Sequence, residues 1–127
     1  MADNYTIPEH RDLTTSERSL LEWLLANGTP EAAAFASQLS RTKVVAKCSC
    51  GCPTIDLALG NKSSRTVGPS TILADAEGHS PEGIPVMVTL HAREGELSEL
   101  EVITDYDVDA CSIPAPAMLE PIRWDAT

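Results

Sequence analysis

The chain is 127 residues long and carries a formal net charge of −10. That length suits a single domain with its own core, burying about two-thirds of the surface its unfolded form exposes. The charge speaks against nucleic acid, because a phosphate-binding surface needs clustered Lys and Arg, and no stretch reaches the ~20 apolar residues of a membrane-spanning helix.

The opening Met1-Ala2-Asp3-Asn4-Tyr5 lacks the basic and apolar regions of a signal peptide. A cytoplasmic chain is expected, with Cys48, Cys50, Cys52 and Cys111 as reduced thiols or metal ligands. Residues 1–12 are polar, lack periodicity and read as an arm. Thr14-Thr15-Ser16-Glu17 then fits a capping box, with Thr14 as N-cap and Glu17 three residues on. Leu20, Leu21, Leu24 and Leu25 follow at helical spacing. Asn27-Gly28 is expected to end this helix, the glycine taking a left-handed conformation. Thr29-Pro30-Glu31 reads as the start of a second helix, with Ala32, Phe35, Ala36 and Leu39 as its apolar stripe. So short a link predicts an antiparallel helical hairpin over 13–41.

The period changes to two after Thr42. Val44, Ala46 and Cys48 alternate with Val45, Lys47 and Ser49, and Ile55, Leu57 and Leu59 form the second arm of a hairpin across Gly51-Cys52-Pro53. A polar loop runs from Gly60 to Pro69. A strand near 71–77 follows, then one with Ile84, Val86, Val88, Leu90 and Ala92 on one face, then one over 97–104. The sum is an α+β domain: a helical hairpin on one face of an antiparallel meander of about five strands over 42–105. Pro114, Pro116 and Pro121 exclude a helix or central strand in 106–127. Ile113, Met118, Leu119, Ile122 and Trp124 are too apolar for a free tail, so an extended segment lying across the domain or a partner is expected. Five aromatic residues leave the core mostly aliphatic.

Charge is uneven along the chain. Arg41 to Arg65 holds five basic residues against Asp56, and Glu94 to Asp109 holds seven acids and no base. Either the two segments face each other and the solvent, the preferred reading, or the acids attract a basic partner.

Three thiols in Cys48-Ser49-Cys50-Gly51-Cys52 are suited to zinc or copper, because thiolates are soft ligands. Cys111, His79 or His91 would complete such a site. The spacing is not the paired Cys-x-x-Cys of a zinc knuckle, and Cys48 also fits as a small hydrophobe on the apolar face of its strand. The structural reading therefore comes first, with no cofactor expected. Catalysis by Cys52 or Cys50 with His91 as base is a further reading. Asp105-Tyr106-Asp107-Val108-Asp109 opens like a calcium loop but fails at Ala110, and Pro116 stands where the bidentate Glu belongs. Gly60-Asn61-Lys62-Ser63 lacks the earlier glycine of a phosphate loop.

Val44 to Leu57, with its Cys-x-Cys-Gly-Cys turn, and Gly95-Glu96-Leu97-Ser98-Glu99-Leu100-Glu101-Val102 resemble a set of small uncharacterised bacterial proteins that pair these two features. The resemblance covers Leu13 to Asp105. It implies a bacterial, cytoplasmic chain and no activity, cofactor or catalytic residue. Three functions follow in order of preference: a non-enzymatic interaction module, joining a protein partner or a second copy as a homodimer; a metal-binding protein; a small thiol enzyme.

Overall fold

Thr14 opens the first helix as its sequence requires. In the computed structural model, which describes residues 6–106 and 111–123, helix α1 runs Thr15–Ala26. Thr14 Oγ1 accepts from the Glu17 backbone N–H at 3.0 Å, and Glu17 Oε1 accepts from the Thr14 N–H at 2.9 Å. Two of the donors that a helix start leaves unpaired are thus satisfied reciprocally. Leu20, Leu21, Leu24 and Leu25 form its buried face.

Gly28 corrects the expected role. It has no left-handed φ, and its need is space: a Cβ there would lie 2.2 Å from the Leu73 carbonyl oxygen. The second helix is a ten-residue 3₁₀ helix, Ala32–Arg41. Its three-residue period aligns Ala32, Phe35 and Gln38 and leaves Ala36 exposed. Gln38 clamps the distant turn at Glu94-Gly95, donating to Gly95 O at 2.8 Å and accepting from Leu97 N at 3.0 Å.

Seven strands form one antiparallel sheet. They are β1 (Thr6–Asp12), β2 (Thr42–Cys48), β3 (Ile55–Leu59), β4 (Thr71–His79), β5 (Pro85–Arg93), β6 (Glu96–Ile103) and β7 (Leu119–Pro121). The order is β1-β2-β3-β6-β5-β4-β7. The five expected strands are present, but they are not one meander. After β3 the chain crosses past the positions of β6 and β5, so that a β2–β3 hairpin sits beside a β4–β5–β6 meander.

The two added strands come from the chain ends. The expected arm is instead an edge strand from Thr6, antiparallel to β2 with a bulge between Pro8 and Arg11. Its polar residues hid it, because an edge strand needs no apolar face; Arg11 forks onto Glu17 with two bonds of 2.9 Å, and Lys43 pairs with Asp12. Near the other end Cys111, Pro114 and Leu119 are buried and β7 pairs with β4. Gly78 makes that pairing possible, since a Cβ there would fall 1.9 Å from Met118 O. Asp107, Asp109 and Trp124 lie outside the described residues.

The helices cover one sheet face. Val86, Val88 and Leu90 are at most 4% exposed and join Leu73, Leu97 and Leu100 in one aliphatic core. The other face carries polar side chains, bordered by the 60–70 loop. There Lys62 binds Glu96 at 2.7 Å, Arg93 reaches Glu99 at 3.3 Å and Arg65 lies 3.5 Å from Asp56. The Lys62–Glu96 pair joins the basic and acidic segments directly, and other acids find partners on β5. Among the described residues no helix is long and apolar enough to cross a membrane.

Candidate metal centre

The three clustered cysteines sit where β2 turns into β3. Cys48 ends β2, and its N–H donates to Thr54 O at 3.2 Å across the base of the turn. Gly51 donates its N–H to Cys48 O at 3.3 Å with φ of +93°, a left-handed conformation that glycine adopts without a Cβ penalty. Thr54 anchors this base to β6: its Oγ1 accepts from Val102 N at 2.8 Å and donates to Val102 O at 3.1 Å. A short turn on a doubly anchored base therefore gathers the thiols.

The Sγ atoms of Cys48, Cys50 and Cys52 all lie within 4.8 Å of one another. Cys48 Sγ and Cys50 Sγ are 2.9 Å apart, and the Cys52 N–H points at Cys50 Sγ at 3.5 Å. Tetrahedral zinc with 2.3 Å bonds sets its sulfurs about 3.8 Å apart, so the short edge must open by roughly 0.9 Å. Rotation about Cα–Cβ at exposed Cys50 supplies such a movement. Burial and the hydrogen bond with Cys50 raise the Cys48 pKa, and the same bond lowers that of Cys50. Cys50 is therefore the thiol of the pair that gives up its proton more readily, toward the thiolate form that binds metal.

Cys48 is half-buried at the end of β2. Cys111 is buried, its pKa raised by that burial, and stands outside the thiol group. The next residue, Ser112, is held at the β4–β5 turn by Glu82, with bonds of 3.0 Å and 2.5 Å. His79 ends β4, exposed and also outside the group. Among the described residues the thiol group thus has three members and no fourth His, Cys, Asp or Glu.

His91 has other partners. Its Nδ1 lies 2.5 Å from Ser70 Oγ and its Nε2 lies 2.8 Å from Glu101 Oε1. The Cys–His pair that a thiol enzyme requires is not among the hydrogen bonds of the described residues. Ser70 and Glu101 escaped the sequence reading because a loop residue and two strand residues, far apart in the chain, share no local pattern. No family model, no curated protein and no solved structure matches this chain.

Proposed function

We propose that this protein binds a soft metal ion, zinc or copper, through the thiolates of Cys48, Cys50 and Cys52 in the reducing cytoplasm. The carrying observation is the convergence of three sulfurs within 4.8 Å on one turn. Soft, polarizable thiolates favour such ions over magnesium or calcium, which prefer oxygen. An exposed Cys50 leaves a path for entry and a face for a solvent or exchanging ligand. Each thiol must lose its proton on binding, so affinity rises with pH.

The experiment is elemental analysis of the full chain purified without chelator, paired with titration of free thiols. About one equivalent of zinc or copper, falling below a tenth in a C48S/C50S/C52S triple variant, supports the reading. Less than a tenth of an equivalent in the native chain, even after incubation with either ion under reducing conditions, ends it.

The interaction reading has a narrower basis than composition suggested, because much of the acidic strand is paired internally and the Pro-rich segment packs on the domain. One observation still favours it. Met87, Ile103 and Tyr106 are 39%, 45% and 62% exposed and line one shallow depression beside Glu77 and Asp105. This second reading assigns that patch to a protein partner or a second copy. A concentration series in analytical ultracentrifugation tests the homodimer, which an I103E variant should dissociate.

A further inference from the structure

Ser70 just ahead of β4, His91 on β5 and Glu101 on β6 form a chain of two hydrogen bonds, 2.5 Å and 2.8 Å long. Strand pairing sets this meeting in place: His91 lies opposite Ile72 of β4, and Glu101 lies opposite Thr89, two residues before His91. An ionised carboxylate only accepts, so the neutral ring carries its proton on Nε2 and leaves Nδ1 as acceptor for the Ser70 hydroxyl. That is the protonation a serine nucleophile needs from its general base, with the carboxylate orienting the ring. The His91 side chain is 13% exposed and held at both nitrogens, whereas Ser70 opens to solvent. Arg93, two residues on, donates from Nε to Gly68 O at 3.1 Å and brings a fixed positive charge to the same rim.

We propose that Ser70 is a catalytic nucleophile toward short, unhindered carboxylic esters, with His91 as its general base and Glu101 as a positioning residue. Ser70 Oγ bonds to the ester carbonyl carbon as its proton passes to His91 Nδ1. The tetrahedral intermediate collapses, the bond to the alcohol oxygen breaks, and His91 returns the proton to that oxygen. Water then attacks the acyl-serine by the same route, releasing the carboxylic acid and restoring the hydroxyl. No electrons are exchanged, and water is the only co-reactant. The depressions lined by Met87 and Ile103 and by Ile72 and Ile122 do not include Ser70. Ser70 itself is exposed, so an acyl group meets an open rim, which suits a short one. This activity is independent of the thiol site.

The test uses the full chain with its cysteines blocked by iodoacetamide, because thiolates also cleave activated esters. A fluorophosphonate probe followed by peptide mapping should label Ser70, and 4-nitrophenyl acetate should be hydrolysed. S70A should abolish labelling, and H91Q should slow hydrolysis by at least ~100-fold. Thermal melts establish that these variants fold, and Ser70→Thr, which keeps a hydroxyl, should retain part of the rate. E101Q should lower kcat with little change in KM while its thermal melt stays native, which a purely structural role would not do. Labelling elsewhere or nowhere, or an S70A rate equal to that of the native chain, overturns the proposal. A native kcat in E101Q overturns the role given to Glu101.

Discussion

Replacing Glu17 by Ala should loosen two elements at once, since one carboxylate both closes the cap of α1 and binds the guanidinium of β1. Its side chain is 9% exposed and accepts the Thr14 N–H and two Arg11 N–H bonds, each of 2.9 Å. Losing the cap half costs about 1 kcal/mol, and losing hydrogen bonds to a charged group costs about 1.5–3 kcal/mol. Arg11, at 36% exposure, regains water, which favours the low end. The sum is about 2.5 kcal/mol. For a domain of this size it corresponds to a fall in melting temperature of roughly 8–12 °C. Burial alone would raise the Glu17 pKa, but the bonds from Arg11 and Thr14 outweigh it and the net shift is downward. A depressed carboxylate contributes stability above its unfolded pKa and loses it as pH falls through the folded one. The gap between native and E17A melts should therefore be full at pH 7 and shrink in acid below the ordinary glutamate range. A fall of less than 2 °C at pH 7, or a gap unchanged at acid pH, would refute the reasoning.

Gly78→Ala should displace β7, because the new Cβ meets backbone and not a flexible side chain. A loss of about 2–3 kcal/mol in urea titration is expected, with faster amide exchange at residues 119, 120 and 122; native-like exchange there would contradict the close approach. Leu100→Ala, at a fully buried position, should cost about 2–5 kcal/mol in the same titration. Limited iodoacetamide treatment followed by peptide mapping should modify exposed Cys50 first and buried Cys111 last. Equal rates at the two would show that the segment carrying Cys111 does not stay packed.

Local signals in the chain were legible where the physics is local. The Thr14–Glu17 cap, the leucine stripe of α1 and the alternation of β5 each depend on residues a few positions apart. The thiol cluster was legible for the same reason, since a tight turn alone brings Cys48, Cys50 and Cys52 together. What stayed hidden depends on distant neighbours. The edge strand β1 is held by Glu17 and Lys43, partners that its own composition does not reveal. Strand order cannot be read from alternation either, so the placement of β6 between β3 and β5 was invisible. The second helix winds as 3₁₀ although its spacing fits 3.6 residues per turn. Gln38 at its C-terminal end is bound to the β5–β6 turn, a tertiary tie that competes with local preference. Ser70 and Glu101 gained meaning only when three strands aligned them with His91.

The margins of the sheet have a bearing on how the protein behaves in a crowded solution. An outermost strand presents unpaired donors and acceptors on which another molecule can add a strand and begin a polymer. Here one margin is interrupted by a bulge and carries Glu9, Arg11 and Asp12, and the other is three residues long and ends in Pro121. Neither offers a long flat template. Clipping the first twelve residues would uncover β2, whose Val44-Val45-Ala46 run is buried in the intact fold, and the truncated protein would lose solubility before it lost its helices.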